Sequence, residues 1–409
     1  MDESGHLFAT SARVGAASPR LNTPKNMHMH KAALDCKHEL CPDELIFSQG
    51  QSENNMIENG DVDIELRRQR RLRKLSAGGT LNNLVVLMRF NDHRNRDLPS
   101  QDDMDLLFNG SEQECSNRQD VCRESGSVQS YFQRFSHGKL TIKSHVTPWI
   151  DVPYSEADAA DGKWGTTDKL HEVIKAALDK ADQTIDFNMF DQKDNDDWID
   201  AITIVHSGYA AEHNTGYMNR IWSHKWRFMS GPWTSKEGVQ VHDYNINPGL
   251  WGTSGNQIGR IGVICHELGH FLGIWDLYDT DQTGNGKGLG WHGLMANSWG
   301  FDWSQLYPPH LSAWSMLQLG FSEGDTPTQG TNSILRADLT PTGDQVSVYK
   351  IGDGQYGFPK GEYLAIQYSK FMKYSSSTLE GILIYHIDEN ADYNTEGYPG
   401  RAGKRPQCW

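Results

Sequence analysis

Two histidines enclose a glutamate in the run Ile264-Cys265-His266-Glu267-Leu268-Gly269-His270-Phe271-Leu272-Gly273-Ile274-Trp275-Asp276. On a helix, residues four apart lie about 40° from each other around the axis, so His266 and His270 share one face and can bind one zinc ion together. A glutamate directly after the first histidine then stands beside the metal's open position. Gly273 can adopt the left-handed conformation that ends a helix and turns the chain back. Asp276 would then close the site as a third protein ligand. The competing reading is a chance His-Glu-x-x-His on an ordinary amphipathic helix, and the extension through Gly273 to Asp276 weighs against it.

Neutral imidazoles and one carboxylate leave a zinc position for water, whose pKa falls from ~15.7 to roughly 7 on the metal. Glu267 is placed to take that water's proton during attack on a polarised carbonyl and to deliver it to the leaving amine. The chemistry is metal-assisted amide hydrolysis. Some zinc peptidases take their third ligand from a later glutamate, but the first one after Glu267 is Glu323. Asp276, His292 and His310 are nearer, along with Asp279 and Asp281, and spacing favours Asp276. Cys265, inside the same helix, reads as a buried free thiol.

The elements that must position this helix can be read in outline. Leu81–Phe90 is a buried strand by its apolar and β-branched content. Val128–Phe135 reads as a helix stopped near Gly138, and Leu140–Val146 alternates as a half-buried strand does. Thr167–Ala181 is an amphipathic helix with Leu170, Ile174, Ala177 and Leu178 on one stripe and Thr167 as N-cap. Trp198–Val205 is a further strand, the zinc helix spans roughly Ile258–Leu272, and His310–Leu319 is another helix. With no regular βαβ beat, the pattern indicates α+β. From about Ile334 short alternating runs separated by turns, Val346–Ile351, Tyr363–Tyr368 and Ile382–Ile387, indicate antiparallel β.

A second metal site is a candidate in Phe190-Asp191-Gln192-Lys193-Asp194-Asn195-Asp196-Asp197-Trp198-Ile199-Asp200. Alternating aspartates at a tight turn offer oxygen ligands to calcium, here Asp194, Asp196 and Asp200; a solvated acidic turn is the alternative. Asp279, Asp281 and Asn285 form a weaker oxygen cluster. Nine of the thirteen tryptophans fall between Trp222 and Trp314, and most are expected in the core.

The chain has 409 residues, 37% of them hydrophobic, enough for two or three domains. A formal charge of −15 argues against a general nucleic-acid binder. A mean hydropathy of −0.64 and the lack of any run of roughly 18 apolar residues give no membrane span. Met1 to Arg20 carries no apolar signal-peptide core. Residues 1–75 read as an irregular N-terminal extension or prosegment, ending near Arg67-Arg68-Gln69-Arg70-Arg71-Leu72-Arg73-Lys74, which is either a processing site or a solvated basic linker. The close pairs Cys36/Cys41 and Cys115/Cys122 suit local disulfides in an oxidising compartment.

The motif from His266 through Gly273 to Asp276-Leu277-Tyr278-Asp279 resembles that of the immune inhibitor A-like zinc metallopeptidases, within the wider metzincin pattern. Gly293-Leu294-Met295-Ala296-Asn297-Ser298-Trp299-Gly300 is similar to that family's methionine-bearing segment, and the likeness runs from about Leu81 to Asn390. The resemblance implies Met295 as a hydrophobic floor beneath the zinc, a metzincin-like α+β catalytic domain with an active-site helix and mixed sheet, protein or peptide substrates, and secretion. Relatives carry an Asp-rich, Gly-containing loop at the candidate calcium site; Gln192 and Asp197 depart from it. The chain is thus divided into 1–75, a catalytic domain at 76–325 and a β-rich C-terminal subdomain at 326–409 whose end looks truncated. The expected activity is zinc endopeptidase, against two alternatives: a zinc aminopeptidase or amidase, and an inactive calcium-dependent adhesion module, in which an intact Glu267 would have no purpose.

Overall fold

Leu84, Val85, Val86, Leu87 and Met88 form an unbroken apolar run, and only a strand covered on both faces buries all of them. All five are fully buried in β1 (Gly79–Arg89). The computed structural model describes residues 78–389 apart from 124, 193–195, 215, 279–287, 343–344 and 373–377. The N-terminal extension with its basic run, Cys36 and Cys41, and the residues Asp194, Asp279, Asp281 and Asn285, lie outside the described residues.

After β1 come α1 (Gln101–Asn109), α2 (Glu112–Asn117) and α3 (Val128–Phe135), then β2 (Leu140–Val146) and β3 (Ile150–Asp151). Serines 100, 111 and 127 begin these helices with capping boxes, which satisfy amide groups that a helix start leaves without partners. A disulfide joins Cys115 to Cys122, between α2 and the turn that follows. Next are α4 (Glu156–Ala160), α5 (Asp168–Ala181), β4 (Ala201–Tyr209), β5 (His224–Arg227), β6 (Trp233–Thr234), β7 (Gln240–Val241) and β8 (Asp243–Leu250). The order across the main sheet is β2-β1-β4-β8-β5, with β3 also pairing β1. Every pairing is parallel except β5 with β8. The sheet is therefore mixed and richer in parallel pairs than the α+β expectation implied. Its crossovers pass through several short helices of unequal length, which hid the βαβ rhythm.

A buried polar chain ties four strands together. Asn83 donates to Ser144 Oγ at 3.2 Å, Thr203 Oγ1 donates to Asn83 Oδ1 at 3.2 Å, and Asn245 donates to Thr203 Oγ1 at 3.1 Å. Asn247 then donates to Asn245 Oδ1 at 2.9 Å. Slipping any strand by one residue would break this chain, so it fixes register where apolar contacts alone would not.

The metal-motif helix α6 (Ile261–Phe271) packs beside β8 and β5. It starts three residues later than expected, because Ile258 bridges to Leu250 and Gly259 N donates to Gly249 O. Thr167 occupies the N-cap position of α5, but its hydroxyl donates to Asp161 at 3.0 Å instead of capping. α7 (Ala313–Gln318) is capped by Ser312. A separate antiparallel sheet, β9 (Val348–Gly352), β10 (Glu362–Met372) and β11 (Thr378–Asp388), forms the β-rich C-terminal part.

Of the nine tryptophans in the Trp222–Trp314 stretch, only Trp233 and Trp314 are buried, and Trp275 is exposed. The expectation of a mostly core set is corrected. These rings shield one another at the surface: Trp251 lies 5.4 Å from Trp299, and the Arg260 guanidinium sits 3.9 Å above Trp251.

Gly262 is where α6 meets the later chain most closely. A Cβ there would stand 2.4 Å from Ser298 O and 2.8 Å from Gln305 Cβ. Alanine in a helix gains up to about 1 kcal/mol over glycine, but overpacking a filled contact costs about 1–3 kcal/mol. The clash is with backbone, so Gly262→Ala should be net destabilising; a denaturant midpoint at or above wild type would contradict this.

Burial also sets the acid stability. It pushes His93, His213, His224 and His310 down to about 4 and His206 to about 3. Between about 6.5 and 4 the unfolded chain therefore binds more protons than the folded one, and stability falls as pH falls. For the fully buried His224 the loss is on the order of 3 kcal/mol. Glu156 and Glu212, pushed up by burial to about 8 and about 7, act with the opposite sign above about 4.5. Five groups outweigh two, so the melting temperature should drop steadily between pH 7 and 4.5; a flat profile would refute it.

Candidate active site

α6 carries His266 and His270 on one face, and the chain turns back at Gly273, whose φ is 98°. A residue with a Cβ would be strained there. The turn returns Asp276, buried, to the two rings. His266 Nε2, His270 Nε2 and Asp276 Oδ1 lie 3.2 Å from one another in all three pairings. Among the described residues this is the only group of three or more such side chains whose donor atoms converge in this way.

The proton positions follow from the other ring nitrogens. His266 Nδ1 donates to Leu294 O at 3.0 Å and His270 Nδ1 donates to Ile274 O at 3.0 Å. A carbonyl only accepts, so in the neutral tautomers both Nε2 atoms present lone pairs to each other and to Asp276 Oδ1. That carboxylate oxygen is buried and has no hydrogen-bond partner. Three lone pairs at one point call for a cation. A zinc ion with ligands at about 2.0–2.1 Å in tetrahedral array sets them about 3.3 Å apart, which the triangle matches. Without a metal the same demand for positive charge is met by a proton: burial opposes charge on His266, yet Asp276 and Glu267 hold its pKa up at about 9. Burial likewise opposes ionised Asp276, but the two histidines hold it well below the usual carboxylate range.

Glu267 is buried beside the triangle, and burial raises its pKa. The two histidines oppose that rise, and the backbone N–H of Lys225, on edge strand β5, does so more weakly. Glu212 is a second buried acid, whose charge and that of Glu267 act on each other. It accepts from Ser223 Oγ at 2.5 Å and from Ser223 N at 3.3 Å.

Met295 is buried with its sulfur against Gly269, where a Cβ would stand 2.6 Å from Sδ. Its carbonyl accepts from Leu277 N at 2.8 Å, next to Asp276. His292 and His310, the other third-ligand candidates, are outside the triangle: their rings lie against Phe301 at 5.5 Å and Phe135 at 4.7 Å. Cys265 is a buried free thiol.

At the candidate calcium loop, Asp196 Oδ1 accepts from Trp198 N and Asp200 Oδ2 from Gln192 N. Asp191, to which the sequence assigned no role, organises the turn by accepting from Asp196 N and Asp197 N at 3.1 and 2.9 Å. Glu212 and the backbone groups of Leu294, Ile274 and Lys225 were also missed. Glu212 carries no spacing signal, and a backbone group carries no residue identity.

The family model for the immune inhibitor A peptidase M6 catalytic domain matches residues 91–320. The chain is 32% identical to immune inhibitor A of Bacillus thuringiensis subsp. alesti over 205 residues, 42% of this chain and 28% of that protein. It is 26% identical to the pre-pro-metalloprotease PrtV of Vibrio cholerae serotype O1 (strain M66-2) over 220 residues, 46% of this chain and 23% of that protein. The matches thus span about a quarter of the length of these relatives. The family model covers more than half of the 409 residues, and the chain belongs to the immune inhibitor A peptidase M6 family.

Proposed function

We propose that the chain is a zinc-dependent endopeptidase of metzincin type, acting on protein substrates. The observation that carries this reading is the 3.2 Å triangle of His266, His270 and Asp276 with Glu267 buried beside it. A zinc ion held there would supply Lewis acidity, polarising the scissile carbonyl and bringing the pKa of water to roughly 7. Glu267 then takes the proton of the attacking water and passes it to the leaving amine. Its raised pKa brings the carboxyl closer to working pH and makes it a better proton carrier. Met295 acts as the apolar floor that keeps Gly269, and with it the two histidines, in place.

In this reading residues 76–325 are the catalytic domain, following an extension at 1–75 and preceding the C-terminal part at 326–409. Among the described residues no helix is long and apolar enough to cross a membrane. The Cys115–Cys122 disulfide supports an oxidising, extracellular working place.

Two variants test the assignment. Glu267→Gln should keep about one zinc per chain and lose casein hydrolysis by a factor of at least ~100, the lower end for a positioned general base. Digestion at the wild-type rate would sink the mechanism. Asp276→Ala should release zinc on dialysis, whereas unchanged metal content would place the third ligand elsewhere.

A further inference from the structure

The carbonyl that orients His266 belongs to a segment held by the C-terminal sheet. Leu294 O accepts from His266 Nδ1, and Leu294 N donates to His310 O, both at 3.0 Å. One residue along, Leu311 O accepts from Gln367 Nε2 at 3.0 Å. On the other flank, the Tyr385 hydroxyl is shared between Gln367 Oε1 at 3.1 Å and His292 O at 3.4 Å. Gln367 lies on β10 and Tyr385 on β11, and both are buried, as are Leu294 and Leu311. The Gln367 amide also donates to Met316 Sδ at 3.1 Å, and its oxygen accepts from Ser369 Oγ at 3.3 Å. A buried amide so fully engaged is a directional clamp: it fixes where the neighbouring carbonyls stand, which an apolar contact does not.

We propose that Gln367 and Tyr385 are positioning residues for the metal centre, reaching His266 through the paired segments 292–294 and 309–311 and the Leu294 carbonyl. The proposal rests on the reading of His266, His270 and Asp276 as a zinc site. Both residues lie beyond residue 320, where the family match ends. The sheet that carries them is therefore part of the frame of the metal site and not an appended module. The carbonyl partner of a ligating histidine sets its tautomer and ring angle, and losing such a partner typically weakens metal binding about 10- to 100-fold.

The full chain, stripped of metal, is titrated with zinc against a chromophoric chelator, and separately loaded with cobalt for its visible absorption. Gln367→Leu should bind zinc several-fold more weakly, short of the roughly 10- to 100-fold that loss of the direct partner costs, and alter the cobalt spectrum. Tyr385→Phe, which removes one hydroxyl, should shift both readouts in the same direction and carries the test if Gln367→Leu does not fold. Ile387→Ala, buried in the same sheet and paired with Tyr363 rather than with Gln367, should lower the melting temperature and leave zinc affinity unchanged. The relay is overturned if the folded Gln367 and Tyr385 variants bind zinc as the wild type does, or if Ile387→Ala weakens zinc as much. A wild-type chain that binds no zinc overturns the metal reading and the relay together, which separates the two failures.

Discussion

The proposed metal site asks the fold to hold three electron pairs together. His266 Nε2, His270 Nε2 and Asp276 Oδ1 face one another at 3.2 Å, and each ring's Nδ1–H donates to a backbone carbonyl. Such a triangle is repulsive alone and strongly favourable around a cation, so rigidity must come from the surrounding chain. Two carbonyls supply it, one from the helix's own C-terminal turn and one from residue 294, distant in sequence. The rest of the architecture can be understood as what delivers those carbonyls.

Three glycines show how closely the parts approach. Gly262 and Gly269 sit two turns apart on α6, and each would clash on gaining a Cβ, with Ser298 O and with Met295 Sδ respectively. Each costs about 1 kcal/mol of helix propensity relative to alanine. The cost is offset because the chain at 294–305 packs against the helix backbone itself, bringing the Leu294 carbonyl within reach of His266. Gly273, at φ 98°, serves the other end by turning Asp276 back beneath the rings. One element thus meets three different demands through absent side chains.

This explains how much could be read from the sequence. The run from His266 to Asp276 is local: helical spacing sets the two imidazoles, one glycine sets the turn, and eleven residues suffice to state the chemistry. β1 was legible because continuous apolar composition has one simple solution. The chain Ser144–Asn83–Thr203–Asn245–Asn247 was not, since isolated polar residues in strands give no hint that they meet across four strands. Nor were Lys225, Leu294 or Gln367 assigned a role, because what the site takes from them is a backbone group or a remote hydrogen bond. The parallel content was underestimated for a similar reason: pairing is long-range, and irregular crossovers removed its rhythm.

The buried charges bear on which ion the proposed site would hold. Around the triangle stand Asp276, which its neighbours hold ionised, Glu267, and Glu212, raised to about 7 by burial and by the Glu267 charge. Ser223 donates two hydrogen bonds to the Glu212 carboxyl, which favour its ionised form against that burial. With both histidines neutral as metal ligands and Glu212 holding its proton, Asp276 and an ionised Glu267 contribute two negative charges to a region that water barely reaches. A monovalent cation would leave that region charged, at a desolvation cost of several kcal/mol. A dication makes it neutral while leaving Glu267 free to accept a proton. In the proposed enzyme a doubly charged ion would offset the burial of Glu267, which by itself disfavours the ionised base, and the triangle and the base would be two halves of one electrostatic balance.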